Sequence, residues 1–127
     1  MTAKYLGNKS QFAGLDTFAK PPGVFSVTME SNEVTALCPV TGQPDWYIVT
    51  VVYNPNLLCI ESKSLKLYLQ SFRGEGLFCE AFAARIANDV SLAIGTSAIT
   101  VEVAQKARGG VAITASAEPP HEMDGNA

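Results

Sequence analysis

Two neighbouring segments with helical periodicity constrain the fold of this chain more than any other feature of its sequence. Apolar residues recur every three or four positions in both segments, and Gly74 and Gly95 follow them as helix-terminating residues. The first segment begins at Ser62 or Ser64, either of which suits the N-cap, and the second extends over residues 77–94. The sequence therefore predicts two consecutive helices in the middle of the chain.

Strand-like segments precede and follow these helices. Residues 24–30 alternate between apolar and polar, and residues 46–53 are rich in β-branched and aromatic side chains. Residues 35–45 contain prolines and a glycine and are expected to form a structured loop. A strand pair over residues 97–106 and 110–116 follows the helices. The predicted fold is α+β with the order ββααββ, a four-stranded antiparallel sheet with both helices on one face.

A chain of 127 residues has the length of one domain. Residues 1–22 mix glycine, proline and polar residues without a sustained period and are interpreted as an N-terminal arm. Residues 23–116 hold all the predicted elements. Residues 117–127 contain a Pro-Pro pair and three acidic residues, so this tail is expected to be disordered.

The charge balance restricts the partners of the chain. Nine basic and 12 acidic residues give a net charge of −3, which has the wrong sign for coating nucleic-acid phosphates. No nucleic-acid partner is therefore expected. Only 17% of residues are charged, against about 25% in an average soluble domain. Because the sheet also has two edge strands, we expect neighbouring subunits to cover these edges in a ring-forming homo-oligomer.

No segment of the sequence resembles a membrane span or a secretory leader. The longest uncharged apolar segment, residues 46–60, is interrupted by Asn54, Pro55 and Asn56, whereas a spanning helix needs roughly 18 apolar residues. The N-terminus has lysines but no following apolar region. A cytoplasmic location without membrane contact is expected.

The cysteines and the single histidine argue against two common kinds of site. Cys38, Cys59 and Cys79 show no C-x-x-C spacing, and His121 lies in the polar tail. We therefore expect no metal site and no Ser-His triad. Cys38 remains a candidate nucleophile because it lies on a loop, with Asp45 seven residues further on. The alternative is a half-buried loop cysteine and a turn aspartate.

Residues 61–68 have features of a phosphate site. They combine a helix start, whose free N–H groups attract anions, with Lys63 and Lys66 on one helix face. Two lysines on a solvated face are also common without any ligand. Arg108, followed by two glycines, suits either a tight hairpin or the close approach of a phosphate. Glu80 could interact with the dipole of the second helix or anchor the N–H groups of a ligand.

Together these segments resemble the QueF family, the NADPH-dependent 7-cyano-7-deazaguanine reductases of queuosine biosynthesis, in their short single-domain form. The residues that carry the resemblance are Leu-Gly-Asn at 6–8, Leu-Cys-Pro-Val-Thr-Gly-Gln-Pro-Asp at 37–45, Glu-Ser-Lys-Ser-Leu-Lys-Leu-Tyr-Leu at 61–69, Ser-Phe-Arg at 71–73 and Arg-Gly-Gly at 108–110. The octapeptide from Glu61 is similar to the signature of the family, and the Cys38 to Asp45 spacing also matches.

The resemblance implies a fold and a reaction. Members have the tunnelling fold, a ββααββ unit that assembles into rings with active sites at subunit interfaces. The Cys38 thiolate would add to the nitrile carbon to give a covalent thioimide, and Asp45 would be the general acid that protonates the nitrile nitrogen. Two NADPH molecules, used in turn, would reduce the adduct to 7-aminomethyl-7-deazaguanine.

The resemblance also implies two sets of binding residues. Glu80 would bind the N–H donors of the deazaguanine ring, assisted by residues at the start of the signature, namely Ile60, Glu61 and Ser62. The NADPH phosphates would be bound by Lys63, Ser64, Lys66 and Arg108.

One departure from the family pattern concerns the substrate pocket. The family has Phe-His-Glu where this chain has Phe78-Cys79-Glu80, so a thiol replaces an imidazole beside the ring anchor. Two alternatives to the reductase follow. One is a QueF-like amidinotransferase that adds ammonia to the same nitrile on tRNA, as in archaeosine formation, although members of that group lack the signature at 61–68. The other is a non-catalytic ring protein that binds deazaguanine.

Overall fold

The structure, a computed structural model, describes residues 14–120 of the chain. Its elements, in chain order, are β1 (Thr17–Ala19), β2 (Val27–Leu37), β3 (Pro44–Tyr53), β4 (Leu58–Ile60), α1 (Ser62–Gln70), α2 (Cys79–Ile94), β5 (Ile99–Arg108) and β6 (Val111–Ala117). The quoted motif at residues 6–8, the first part of the predicted arm and His121 lie outside the described residues.

The main sheet is antiparallel and has the strand order β2-β3-β5-β6. Along β3 the buried residues alternate with more exposed ones, so only one face of the sheet is covered. Buried side chains of both helices belong to the same core as those of the strands, which places both helices on that face. The predicted α+β architecture is confirmed.

The second helix and the third strand form the centre of the core. Phe82, Ile86 and Val90 repeat along α2 and are fully buried against Val49 and Val103 of the sheet. Gly95 ends the helix with a positive φ of 69°, a conformation that glycine adopts without steric cost. The prediction of this helix and its terminator is confirmed.

The loop before β3 is shorter than predicted. Residues 35–37 were expected in a loop but pair with residues 44–46, so that β2 and β3 form a hairpin closed by residues 38–43. The predicted first strand at 24–30 also begins too early, because β2 starts at Val27 and Phe25 is 82% exposed. Pro44 is compatible with a strand here because it is the first residue of β3.

The start of α1 differs from the prediction. Glu61 is the N-cap, and its carboxylate accepts hydrogen bonds from the backbone N–H groups of Lys63 and Ser64. The proposed cap residues Ser62 and Ser64 instead belong to the helix. A serine was favoured as the cap because serine caps are common, whereas the longer glutamate side chain performs this task here.

Two short strands were not predicted. β1 and β4 pair with each other in a separate two-stranded sheet, with Phe18 opposite Cys59. Each has three residues, which is too short for an alternating pattern to be recognised. At the other end of the domain, Ala117, the first residue of the predicted tail, is the last residue of β6, and Pro119 is buried.

Neither helix between residues 14 and 120 has both the length and the apolar character needed to cross a membrane.

Candidate active site

Cys38 lies at the start of the loop that joins β2 to β3. Its backbone N–H donates to the Gln43 carbonyl at 2.8 Å, and its carbonyl accepts from the Gly42 N–H at 2.9 Å. Gly42 has a φ of 74°, which closes the turn in a conformation that favours glycine. This loop holds the half-buried Cys38 side chain at one end of the sheet.

The loop also stabilises the ionised form of Cys38. The Thr41 hydroxyl, followed by the backbone N–H groups of Thr41 and Val40, lowers the pKa of the Cys38 thiol by hydrogen bonding. Burial and the Asp45 carboxylate oppose this effect without reversing it. A thiol with a lowered pKa and access to solvent has the properties of a reactive cysteine.

We expect Thr41→Val to move the ionisation of Cys38 to higher pH. The folded-state pKa is depressed, so the thiolate is present above that pKa and is lost as the pH falls through it; removing the largest depressing contact raises the pKa towards its ordinary value. The measurement is the rate of iodoacetamide alkylation of Cys38 as a function of pH. The control Thr28→Val, on an exposed position of β2, should leave the profile in place. An unshifted Thr41→Val profile would contradict this assignment.

Asp45, the second residue of β3, is bound by Arg108 across the sheet. The Asp45 side chain is 6% exposed, and its Oδ1 accepts from Arg108 Nη1 at 2.6 Å. Arg108 Nη2 also donates to the Gln43 side-chain oxygen at 2.7 Å. The hydrogen bond to Asp45 raises the pKa of Arg108. In this arrangement Arg108 is part of the Cys38 end of the molecule rather than a free cation.

The start of α2 packs beside the Cys38 loop. Leu37 forms a parallel bridge with Gly76, since its N–H donates to the Glu75 carbonyl and its carbonyl accepts from the Leu77 N–H. This bridge brings the following residues, Cys79 and Glu80, to the end of the sheet that carries Cys38. Glu80 lies in the first turn of α2 with an exposed side chain.

Cys79 is fully buried, and its thiol is already engaged. Its exposure is 1%, and its Sγ lies 3.3 Å from the Val103 carbonyl oxygen, to which the thiol donates. Burial, followed by the charge of Glu80, raises the pKa of Cys79. Cys79 is therefore a protonated thiol whose donor is used within the protein.

The predicted residues around the start of α1 form a second group. Ile60 ends β4 and its N–H donates to the Tyr53 hydroxyl oxygen at 2.8 Å. Ser64 is fully buried, and its hydroxyl donates to the Glu61 carbonyl and accepts from the Asp16 N–H. Lys63 is exposed. The Glu61 carboxylate and the Ser64 hydroxyl thus stabilise the helix start in this arrangement.

The exposed residues of this second group lie beside a groove. Ser62 and Lys66 line it together with the β2 residues 29–34, and its volume is about 530 Å³. Lys63 and Lys66 are both exposed on the first two turns of α1. Within residues 14–120, neither lysine ammonium group forms a hydrogen bond or an ion pair, whereas the Ser64 hydroxyl is occupied.

The two groups of predicted residues lie at opposite ends of the sheet. Asp45 is near the beginning of β3, whereas Tyr53, which contacts Ile60, is its last residue. Eight residues of strand correspond to roughly 25 Å at about 3.3 Å per residue. Within one protomer, a small ligand that touches Asp45 therefore cannot also reach Ile60.

The sequence did not reveal the supporting residues of the site. Thr41 and Gln43 occur in the quoted motif at 37–45, but their contacts with Cys38 and Arg108 depend on the closed loop. Tyr47 was predicted only as part of a strand. Its position two residues after Asp45 on an alternating strand was the available signal, because both side chains must point to the same face.

Comparison with known proteins shows consistent similarity. A family model described as "QueF-like protein" matches residues 44–124. A protein of Frankia casuarinae named NADPH-dependent 7-cyano-7-deazaguanine reductase is 41% identical over 118 residues, which cover 91% of this chain and 94% of that protein. Proteins with the same name from an Anaeromyxobacter species and from Thiobacillus denitrificans are 46% and 43% identical, covering 76% and 87% of this chain and 81% and 80% of theirs.

A solved structure has the same fold. The crystal structure of the archaeosine synthase QueF-Like in the apo form superposes with a TM-score of 0.71, covering 79% of this chain and 96% of that one at 24% identity. At this identity the likeness shows the fold, and it identifies the tunnelling fold in this chain.

Proposed function

The chain belongs to the QueF family, and we propose that it reduces the nitrile of 7-cyano-7-deazaguanine to the primary amine with NADPH, through a thioimide on Cys38, in queuosine biosynthesis. The observation that carries this proposal is the loop thiol whose pKa is lowered by Thr41 and Val40, close to the enclosed carboxylate of Asp45. The named relatives, at 41–46% identity, support the same reaction class.

Cys38 is the nucleophile in the proposed mechanism. Its sulfur bonds to the nitrile carbon, one electron pair of the C≡N bond moves to nitrogen, and that nitrogen takes a proton. When the carbon has accepted a first hydride, the C–S bond breaks, and the electron pair returns to Cys38 while an imine forms. A second hydride and a proton complete the amine. Cys38, released as a thiolate, takes up a proton from solvent and becomes a thiol again. The four-electron reduction thus consumes two hydrides and, from solvent, two protons.

Asp45 moves the proton in this scheme. As a carboxylate beside Cys38 it accepts the proton displaced from the thiol, and it then donates that proton to the nitrile nitrogen. The ion pair with Arg108 at 2.6 Å orients the carboxylate. Arg108 has to share or release Asp45 when the proton is taken up, because a protonated acid gives up most of its attraction to a cation.

NADPH supplies the hydride when bound. The residues present fit its phosphates in part. Lys63 and Lys66 are exposed on α1, but the groove of about 530 Å³ that Lys66 lines is also lined by Glu30 and Glu33, whose negative charges oppose an anionic ligand. Ser64 supports the helix start rather than a phosphate, since its hydroxyl is buried and fully used. Arg108 is bound to Asp45 and Gln43, so a phosphate would meet only the N–H groups that these two partners leave unused.

We assign deazaguanine recognition to Glu80, with Ile60, Glu61 and Ser62 contributed by a neighbouring subunit. The separation of roughly 25 Å between the two ends of the sheet supports this arrangement, because one protomer cannot present both groups to one small molecule. Glu80 is exposed in the protomer and available to the ring N–H groups. Cys79 forms the buried floor beside it.

The same geometry supports the proposal of a homo-oligomer. Three large apolar side chains, Val40, Trp46 and Phe78, are more than half exposed and come from the loop, the strand and the helix start that carry the Cys38 site. β2 and β6 are both edge strands of the main sheet. We propose that a second subunit covers these features and contributes its α1 start to the Cys38 site.

The test combines NADPH absorbance, intact protein mass and light scattering. Mixed with 7-cyano-7-deazaguanine alone, the protein is expected to gain the mass of the nitrile on Cys38; with NADPH, two molecules should be oxidised per nitrile. The solution mass should exceed that of a 13.5 kDa monomer. An adduct that reacts with ammonia instead of NADPH would indicate an amidinotransferase. Binding of the deazaguanine without a covalent adduct would exclude the covalent mechanism.

A further inference from the structure

Tyr47 carries a buried hydroxyl that has no use in the fold. Its side chain is 0% exposed, and its hydroxyl oxygen has no hydrogen-bond partner among the described residues. Leaving such a group unpaired is unfavourable because it has lost its hydrogen bonds to water, so buried hydroxyls are nearly always hydrogen-bonded. A buried polar atom without a partner in the folded protein points to a partner that arrives with a ligand.

The hydroxyl belongs to the Cys38 end of the molecule. Tyr47 follows Asp45 by two positions on β3, so both side chains point to the helix-covered face. The Tyr47 ring packs edge-on against the ring of Phe82, with the two centroids 5.2 Å apart. Phe82 lies one turn after Cys79 on α2. Tyr47 therefore stands between Asp45 and the start of α2, and its χ angles are restricted by this packing.

The surroundings keep Tyr47 protonated. Burial, followed by the negative charge of Asp45 and the nearby thiols Cys79 and Cys38, raises the pKa of Tyr47 to about 12, with Arg108 opposing. At physiological pH the group is a hydrogen-bond donor that keeps its proton. It is suited to stabilise negative charge and unsuited to be a proton source.

Cys79 cannot supply this hydrogen bond. Its thiol already donates to the Val103 carbonyl, and a thiol is a weak donor in any case. Arg108 already donates to Asp45 and Gln43, which fix the direction of its guanidinium group. The addition of a thiolate to a nitrile, however, places negative charge on nitrogen before the proton arrives, and such charge is best stabilised by a preorganised donor.

We propose that the Tyr47 hydroxyl donates a hydrogen bond to the substrate nitrogen while Cys38 adds to the nitrile carbon. This inference rests on the proposed function and adds a residue to it. The S–C bond forms, the C–N electron pair moves to nitrogen, Asp45 delivers the proton, and Tyr47 retains its own. The Tyr47 hydroxyl has no exposed surface in the protomer, so this hydrogen bond requires a local opening at the Cys38 end, through which the narrow, linear nitrile enters.

The test is Tyr47→Phe, which removes only the oxygen. We expect thioimide formation, followed by intact mass after rapid mixing with 7-cyano-7-deazaguanine, to slow about 100-fold, the usual effect of losing one such donor. The kcat should fall while KM changes little, because the bond strengthens in the transition state. The melting temperature should stay the same or rise, because the variant removes an unpaired buried oxygen.

Tyr68→Phe is the matched control. Its hydroxyl donates to Asp89 at 2.6 Å, away from Cys38, so its loss should lower the melting temperature and leave the adduct rate unchanged. A double variant tests directly whether a hydrogen-bond donor is needed at this position. Cys79→His in the Tyr47→Phe background should recover part of the lost rate, because an imidazole offers a donor beside the same site.

Two outcomes would overturn the role of Tyr47. One is that Tyr47→Phe forms the thioimide adduct at the same rate as the protein without the substitution. The other is a fall in adduct rate that is matched by a fall in melting temperature and is not relieved by Cys79→His, since this combination indicates a structural role. Failure of the proposed function is recognised separately, because adduct formation that persists in Cys38→Ala would exclude Cys38 itself. An unmodified protein that forms no adduct would overturn both.

Discussion

Replacing Cys38 with alanine is expected to abolish the thioimide adduct and the oxidation of NADPH, while binding of the deazaguanine ring persists. The reason is that the thiol forms the only covalent bond between protein and substrate in the proposed mechanism, whereas we propose that the ring is held by Glu80 and by the α1 start of a neighbouring subunit. Removing the nucleophile of a covalent mechanism typically leaves only the small residual rate due to binding and charge stabilisation. Turnover is followed by NADPH absorbance, and ring affinity is followed by calorimetry.

Cys59→Ala is the matched control for this experiment. Cys59 is also a free cysteine, but it is buried in β4 and has no contact with the Cys38 loop in the described structure. Its replacement should leave the adduct and the kcat intact, even if a small core cavity lowers the melting temperature. Turnover in Cys38→Ala comparable to that of Cys59→Ala would exclude a thioimide on Cys38.

Asp45→Asn is expected to slow thioimide formation by about 100- to 10,000-fold, the usual contribution of a positioned acid or base. The amide has nearly the same shape but can neither accept the thiol proton nor donate one to the nitrile nitrogen. At the same time the Cys38 thiol should ionise at least as readily, because the Asp45 charge opposes the lowering of the Cys38 pKa by Thr41 and the loop N–H groups. Rapid-mixing mass spectrometry measures the adduct rate.

Alkylation by iodoacetamide separates the two effects of this variant. A proton-transfer role predicts that alkylation of Cys38 is as fast as before or faster, while addition to the nitrile is slow. Asp89→Asn is the control, since Asp89 is a partly buried carboxylate on α2 that accepts from Tyr68 and pairs with Arg85 at 3.8 Å. Equal losses in both reactions of Asp45→Asn would show that the variant merely disturbs the loop.

The helices and the central strand were predictable because their patterns are long. Residues 77–94 repeat apolar positions over more than four turns, and residues 46–53 form a continuous β-branched and aromatic run; both emerge as α2 and β3 with small changes at the ends. Shorter features had no such signal. β1 and β4, with three residues each, exist because they pair with one another across the chain.

The candidate nucleophile and its acid were predictable for a different reason. Cys38, Asp45 and Glu80 occur in local motifs whose spacing resembles a known family, and one hairpin and one parallel bridge bring them to the same end of the sheet. The roles of Glu61 and Ser64 were not predictable in this way. Their side chains satisfy the start of α1, and this depends on contacts with Asp16, 48 residues away from Ser64.

By itself the sequence determined the order of the main elements, the loop cysteine and the identity of the family, because each is encoded in residues that are close together along the chain. Only the tertiary structure decided that roughly 25 Å of strand separates Asp45 from Tyr53 and its neighbour Ile60, that Arg108 binds Asp45, and that the buried Tyr47 hydroxyl has no partner within residues 14–120. These facts depend on strand register and on packing between distant segments. Local periodicity predicts neither the strand register nor this packing, because both depend on the free energy of the whole fold.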